Sequence, residues 1–159
     1  MQIDTFDKKI LTALQENAGL SNAEVAQRVG LSPTPCWRRI RALEEAGIIR
    51  RRVALLDRRK LNIGVTVFVA VRTNQHNQEW LERFAQAVEG IPEVVEFYRM
   101  AGEVDYLLRV VVPDIAAYDQ VYKRLIEQID LHDVSSSFAM EEMKYTTAVP
   151  LTYAPTVGP

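Results

Sequence analysis

Residues 30–41 of this chain, GLSPTPCWRRIR, contain the pattern that decides the fold of its N-terminal part. Gly30 permits a sharp turn after a preceding helix, because glycine adopts the left-handed backbone conformation at little cost. Ser32 is suited to cap the next helix, and Pro33 suits its first position, where the missing N–H would have no helical partner. The pattern therefore predicts a turn followed by a helix over residues 33–46.

Two further helices are predicted before this turn. The first covers residues 4–17 with Asp4 as its cap, and the second covers residues 21–29 with Ser21 as its cap. Two short helices joined by a glycine-containing turn are typical of the helix-turn-helix, in either its winged or its plain form. The sequence thus predicts a DNA-binding domain over residues 1–50.

The predicted third helix has an apolar face and a basic face. Cys36, Ile40 and Leu43 recur at helical spacing and face the interior of the domain. Successive residues in an α-helix are about 100° apart around its axis. This spacing identifies the residues that lie opposite the apolar face. The residues on that face are Thr34, Arg38 and Arg41, with Trp37 on its flank.

A recognition helix reads bases mainly through its N-terminal half. Arg38 is therefore expected to donate two hydrogen bonds to a guanine, whereas Arg41, further along, suits a phosphate. Arg39 points back toward the packed side, which leaves open a phosphate contact or an intramolecular ion pair. The full set of predicted DNA-contacting residues is Ser32, Pro33, Thr34, Trp37, Arg38, Arg39, Arg41, Arg50 and Arg51.

Charge is distributed unevenly along the 159 residues. Residues 1–60 hold 12 lysines and arginines against 7 aspartates and glutamates, a net +5, whereas residues 61–159 hold 7 against 14, a net −7. A basic first part on an acidic second part favours a polyanion such as double-stranded DNA as its partner. A single cysteine, no secretory pattern and no apolar run of membrane-spanning length predict a cytoplasmic protein without a membrane partner.

The residues after position 63 follow a different pattern. β-Branched or alternating runs at 65–71, 94–100, 104–112 and 134–145 predict strands, and residues 78–89 and a stretch capped by Asp114 predict helices. The resulting β-α-β-β-α-β order is that of the ferredoxin-like fold, so the chain as a whole is expected to be α+β. The predicted boundaries are a linker strand over 51–63, a domain over 64–150 and a frayed tail over 151–159.

The first strand of this domain is apolar on both faces. Val67, Val69 and Val71 alternate with Phe68 and Ala70, yet both helices are expected on one face of the sheet. A second subunit is the simplest cover for the other face, and the expected assembly is therefore a homodimer.

Several motifs together identify a family resemblance. They are LSPTPC at 31–36, RIR at 39–41, Leu43-Glu44-x-x-Gly47-x-Ile49, Gly102-x-x-Asp105-Tyr106-Leu107-Leu108 and Met140-Glu141-Glu142-x-Lys144. With them the chain closely resembles, over nearly its whole length, the leucine-responsive regulatory protein/AsnC family, the feast/famine transcription regulators. Trp37 and Arg38 depart from the leucine-responsive protein, and so does the last strand. The operator sequence and the effector of that protein are therefore not carried over to this chain.

The resemblance implies further properties of the second domain. In this family it is called RAM, binds amino acids, forms dimers through its sheet and often assembles into higher even-numbered oligomers, with effectors bound between neighbouring dimers. By motif position the implied effector-binding residues are Gly102, Glu103, Asp105, Ser135 and Ser136.

The chemistry of the Gly102–Asp105 stretch is compatible with that implication. A free amino acid needs an anion for its ammonium group, which Asp105 offers, and N–H donors for its carboxylate, which the backbone around Gly102 offers. Taken without the resemblance, the same four residues are those of a hairpin turn flanked by surface acids.

The main alternative function is a nucleoid-like architectural protein that binds DNA with little sequence preference. An enzyme is a third class, but the sequence offers no acid–base pair, nucleophile or metal-ligand spacing for catalysis. Neither histidine has a second ligand at metal spacing, and no phosphate-binding glycine loop is present. No catalytic residue, metal site or cofactor is therefore predicted.

Overall fold

The computed structural model describes residues 2–75, 77–129 and 131–155. They form two compact units, divided after Leu55 and again after Met143. The head unit contains the residues up to Leu55 together with those from Lys144 onward, and the sheet unit contains Leu56–Met143. The chain therefore passes between the units twice.

Three helices build the head unit, namely α1 (Thr5–Glu16), α2 (Asn22–Val29) and α3 (Pro33–Glu45). The Asp4 side chain caps α1 and the Ser21 side chain caps α2, each within a capping box, as predicted. Gly30 ends α2 with φ of 75°, the left-handed conformation that the predicted turn requires. Ser32 occupies the N-cap position of α3, but its side chain makes no capping hydrogen bond.

The head core is apolar and closely packed. Cys36 and Leu43 on α3 are fully buried, as is Ile10 on α1, and Val25 and Ala26 on α2 are nearly so. Burial of these side chains removes apolar surface from water and fixes which side of α3 remains exposed. The predicted inward face of α3 is therefore confirmed.

The predicted linker strand does not form, since residues 51–63, all of which the structure describes, contain no strand. Val53, Leu55 and Leu56 lie in this stretch with more than half of their surface exposed. A strand needs a neighbouring strand to satisfy its backbone groups, and no described strand pairs with this stretch.

The sheet unit has the predicted β-α-β-β-α-β order. Its elements are β1 (Val65–Arg72), α4 (Gln78–Glu89), β2 (Val94–Arg99), β3 (Tyr106–Val112), α5 (Ile115–Gln128) and β4 (Asp133–Phe138). The strands are antiparallel and lie in the order β2-β3-β1-β4. This is the α+β ferredoxin-like arrangement that the sequence predicts.

One face of the sheet packs against both helices. Val67, Val69 and Val71 of β1 point into this core and meet aromatic side chains of α4, including the fully buried Phe84, and Leu125 of α5. None of the described helices packs on the opposite face, here called the open face. Phe68 and Tyr98 expose 39% and 50% of their surface on the open face, which an isolated domain would not normally leave to water.

The C-terminal boundary differs from the prediction. β4 ends at Phe138 rather than Tyr145, and the residues from Lys144 onward pack with the head unit rather than with the sheet. The tail predicted to fray includes a single 3₁₀ turn over Leu151–Tyr153, and Leu151 packs against the head core. Residues 156–159 of that predicted tail lie outside the described residues.

Candidate nucleic-acid interface and ligand-binding region

Helix α3 presents a polar, basic face to solvent. Thr34, Arg38 and Arg41 are all exposed, and so are Ser32 and Pro33 at its N-terminal end. Their exposure follows from the burial of Cys36, Ile40 and Leu43 on the other side, because one helix cannot bury both faces against a single core. These N-terminal residues thus lie where a recognition helix carries its base contacts.

Trp37 and Arg41 form a contact on the flank of this face. The Arg41 guanidinium lies 5.5 Å from the centre of the Trp37 ring, and its Nη2 atom lies 3.3 Å from the Glu45 carboxylate. Trp37 nevertheless exposes 51% of its surface. The Trp37 ring and the Glu45 carboxylate thus both contact the Arg41 guanidinium on the exposed side of α3.

Arg39 takes the second of its two predicted roles, the intramolecular ion pair. Its Nη1 atom donates to Asp4 Oδ2 at 2.7 Å and to Asp7 Oδ1 at 2.8 Å, and Asp7 is almost wholly buried. The prediction that Arg39 contacts DNA is corrected accordingly, because its guanidinium is held by two carboxylates of the head. The hydrogen bond from the Asp7 backbone N–H, assisted by Arg39, lowers the pKa of Asp4.

The basic residues after α3 are exposed. Arg50 and Arg51 lie at the surface, and Arg52 forms an ion pair with Glu44, 3.1 Å between Nη2 and Oε1. The pair ties the start of the linker to the last turns of α3. Arg50 and Arg51 keep positions suited to phosphate contacts, which position a protein on DNA without reading sequence.

In the sheet unit, the two segments predicted to bind an effector flank the same end of β1. Val71 pairs with Tyr106 of β3 on one side and with Val134 of β4 on the other. The 102–105 loop therefore lies on one side of this strand end and Ser135 and Ser136 on the other. Gly102 has φ of 124°, a conformation in which other residues are strained.

Asp105 fixes the loop to β1. Its Oδ2 atom accepts a hydrogen bond from the Thr73 backbone N–H at 2.8 Å, and its own N–H donates to the Val71 carbonyl at 3.1 Å. Asp105 thus helps to shape this end of the sheet, and one of its carboxylate oxygens is already used within the chain.

The two predicted serines lie on opposite faces of β4. Ser135 is exposed on the open face, opposite Ala70. Ser136 faces the helices, where its hydroxyl hydrogen-bonds the hydroxyl of Tyr118. Burial raises the pKa of Tyr118, so the phenol stays protonated at neutral pH. Of the two, Ser135 is the hydroxyl that solvent reaches.

Arg72 is a residue that the sequence analysis missed. It ends β1, and its guanidinium lies 3.8 Å from the Glu103 carboxylate and 3.7 Å from the Asp133 carboxylate. About half of its side chain is exposed. Arg72 thus bridges the two segments predicted to bind the effector. The sequence carries no local signal for this role, because Glu103 and Asp133 are far from Arg72 along the chain.

Within the described ranges no group of three or more histidine, cysteine, aspartate or glutamate side chains could hold a metal ion. None of the helices described is both long and apolar enough to cross a lipid bilayer.

Comparisons with known proteins match the chain to two family models. Residues 3–50 match the family model for a winged helix-turn-helix DNA-binding domain, and residues 66–149 match that for the Lrp/AsnC ligand-binding domain. The DNA-binding transcriptional activator DecR of Escherichia coli is 49% identical over 150 residues, which cover 94% of this chain and 99% of that protein.

Two solved structures are similar along almost the entire chain. An AsnC family transcriptional regulator from Agrobacterium tumefaciens is 64% identical with a TM-score of 0.93, covering 95% of this chain and 99% of that one. A transcriptional regulator from Neisseria meningitidis, solved as a complex with L-Met, is 40% identical with a TM-score of 0.91, covering 96% and 99%. The chain described here belongs to the Lrp/AsnC family of transcription regulators, with a helix-turn-helix DNA-binding unit and a ligand-binding unit.

Proposed function

We propose that this chain is a cytoplasmic, sequence-specific transcription regulator whose DNA binding or assembly responds to a bound amino acid. The observation that carries the DNA-binding part is the exposed face of α3, where Thr34, Arg38 and Arg41 point away from a fully packed core. A face of this composition suits the major groove, where guanidinium groups meet both base edges and phosphates.

We propose that some residues of this face contact bases and that others contact phosphates. Arg38, in the N-terminal half of α3, donates to the edge of a guanine, while Thr34 and Ser32 lie close enough to the helix start to reach neighbouring bases. Trp37 lies against a thymine methyl or a sugar. Arg41, Arg50 and Arg51 contact phosphates, which gives affinity and register but no base preference.

A comparison of a candidate promoter duplex with a random duplex of equal length separates this function from architectural DNA binding. A sequence-specific regulator binds its site on the order of a thousandfold or more tighter than random DNA at physiological salt. Equal affinity for the two duplexes across a set of promoters would favour the nucleoid-like alternative.

The effector is proposed to bind beside the exposed end of β1. A zwitterionic amino acid carries one carboxylate and one ammonium group, and this end offers the cation Arg72 between the anions Glu103 and Asp133. Both existing ion pairs are long and solvent-exposed, and such pairs contribute roughly 0–1 kcal/mol. A ligand therefore displaces them at little cost. The complex of the Neisseria relative with L-Met supports an amino acid as the ligand class.

Replacing Arg72 by glutamine is expected to weaken or abolish effector binding. The measurement is a thermal shift of the purified protein with each of the twenty common amino acids, since a ligand that prefers the native state raises Tm. The amino acid that stabilises the wild type is expected to lose most of its shift in Arg72→Gln. The matched control, Arg83→Gln on the exposed side of α4, keeps the full shift. An unchanged shift in Arg72→Gln would remove Arg72 from the site.

The proposed assembly is a homodimer, with association into higher even-numbered oligomers. The open face supplies the observation, since it combines the exposed rings of Phe68 and Tyr98 with an ion pair between Glu96 and Arg109. The hydrogen bond from Arg109 lowers the pKa of Glu96, so the pair stays charged at neutral pH. A two-fold-related copy of the same face would cover the rings, and a dimer would present two recognition helices to DNA.

A further inference from the structure

The C-terminal segment, residues 144–155, is an integral part of the head unit. Its centre is held by the Gln15 side chain, which bonds both backbone groups of one residue. The Val149 N–H donates to Gln15 Oε1 at 2.7 Å, and Gln15 Nε2 donates to the Val149 carbonyl at 3.2 Å. The Gln15 side-chain amide thus satisfies both backbone groups of Val149, as a neighbouring strand would. These two hydrogen bonds hold the segment against α1.

Apolar contacts and a second backbone bond anchor the rest of the segment. Leu151 and Ala154 pack against the head core, and the Ile3 N–H donates to the Pro155 carbonyl at 3.1 Å. The segment thus reaches both ends of α1, from Gln15 near its last turn to Ile3 before its first. The side of the head formed by α1 is a docking surface whose occupant is the chain's own C-terminus.

The residues just before this segment are fixed within the sheet unit. Ala139, directly after β4, donates its N–H to the Thr66 carbonyl at 2.9 Å. Glu142 forms an ion pair with Arg58 at 3.1 Å, and Arg58 also donates to the Thr66 hydroxyl at 3.0 Å. Because Arg58 lies in the linker, it joins the two chain connections that leave the sheet unit.

A short stretch of chain connects β4 of the sheet unit to the C-terminal segment in the head unit. β4 carries Ser135 beside the proposed effector site, and only five residues separate Phe138, its last residue, from Lys144. A unit on one flexible linker reorients without reference to its neighbour, whereas a second attachment restricts that motion. The backbone from β4 to the segment docked on α1 is therefore short and continuous, so a change in β4 has a covalent path to that segment.

We propose that docking of residues 144–155 on α1 couples the effector end of the sheet to the DNA-binding head. The inference rests on the proposed function for the role of β4, but the docking contacts themselves do not. Coupling between two sites is reciprocal, so DNA bound at the head must change the affinity of the sheet unit for its effector by the same factor by which the effector changes DNA affinity. DNA is therefore a usable probe, and no effector has to be identified.

The test measures amide hydrogen exchange of the β4 residues in the full-length protein with and without a random-sequence duplex at low salt. In the wild type, DNA is expected to change the exchange rate of these amides about fivefold or more, the usual lower range of allosteric coupling. The double variant Gln15→Ala/Leu151→Ala, which releases the segment, is expected to bind the duplex and to lose this change. Gln15→Ala alone leaves Leu151 packed and is expected to lose part of it.

The matched control is Gln86→Ala, an exposed glutamine on α4, which should retain the full response. A response of β4 that persists in both Gln15 variants overturns the proposal, and so does a wild type that binds DNA with no response in β4. Either result leaves DNA binding intact. Both results are therefore distinguishable from a failure of the proposed function, in which the protein would not bind the duplex at all.

Discussion

Replacing Arg38 by alanine is expected to relax the base preference of DNA binding by about five- to 150-fold at one position of the site, which corresponds to ~1–3 kcal/mol. The reason is that a guanidinium hydrogen-bonded to a guanine rejects the other bases, and an alanine methyl does not. Arg38 is exposed on the N-terminal half of α3, so its removal leaves the head core untouched. The measurement is affinity for a panel of duplexes that differ by single base pairs.

The Arg41→Ala variant serves as the counterpart. It is expected to bind all duplexes of the panel more weakly and by a similar factor, because a phosphate contact adds affinity without discrimination. Arg83→Ala, on the exposed side of α4, is the control for a general loss of positive charge. Uniform weakening in Arg38→Ala, with altered preference in Arg41→Ala, would reverse the assignment of the two side chains.

Replacing Arg39 by alanine is expected to lower the free energy of unfolding of the head by about 1–3 kcal/mol, the usual cost of leaving a buried polar group without its partner. The loss stays below the roughly 3–5 kcal/mol of a fully buried ion pair because 33% of the Arg39 side chain is exposed. The carboxylate that loses its ion-pair partner is that of Asp7, which is only 3% exposed. Thermal or urea unfolding measured at neutral pH checks the loss.

The pH dependence of that loss has a defined sign. Because folding lowers the pKa of Asp4, its stabilising contribution is fully present above the pKa of an unfolded aspartate and disappears as the pH falls through the lower folded value. The difference between wild type and Arg39→Ala should therefore shrink in acid. Arg41→Ala is the control, since its exposed pair with Glu45 contributes little to stability. Equal stability of the Arg39 and Arg41 variants at neutral pH would contradict the account of Arg39.

Local rules predict the head well because its helix boundaries depend on nearby residues. Asp4 and Ser21 cap the helices through side chains three residues away from their partners, and Gly30 provides the turn within its own backbone. The i, i+4, i+7 spacing of Cys36, Ile40 and Leu43 gives the buried face of α3 in the same way. The order of the sheet unit follows from alternation and turn residues, which are also local.

The structure differs from the sequence-based predictions where contacts with a distant part of the chain determine the position of a residue. Helical spacing alone leaves Arg39 between two roles, and the carboxylates that settle the matter lie on and before α1, more than thirty residues away. Among the described strands β4 pairs with β1 alone, and β1 begins at Val65, two positions before Val67, the partner of Phe138. β4 therefore ends near this point although its alternating pattern continues.

Long-range packing explains the C-terminal segment as well. Val149 and Leu151 carry no pattern that predicts a partner on α1, since the contacts with Gln15 span 134 positions in the sequence. The prolines of this stretch and its place at the end of the sequence favour a frayed tail by local rules. Arg72 was missed for a related reason, because its neighbours Glu103 and Asp133 come together only when β1 pairs with both flanking strands.

The salt dependence of DNA affinity tests most directly the central claim that the basic face of α3 enters a groove of duplex DNA. Each phosphate contact steepens the slope of log affinity against log salt concentration by about 0.9, so the wild type should weaken sharply between low and moderate salt. Arg41→Ala should make that slope shallower by about 0.9, the contribution of one phosphate contact. An affinity that stays constant over the same range, with the same slope in Arg41→Ala, would contradict the claim.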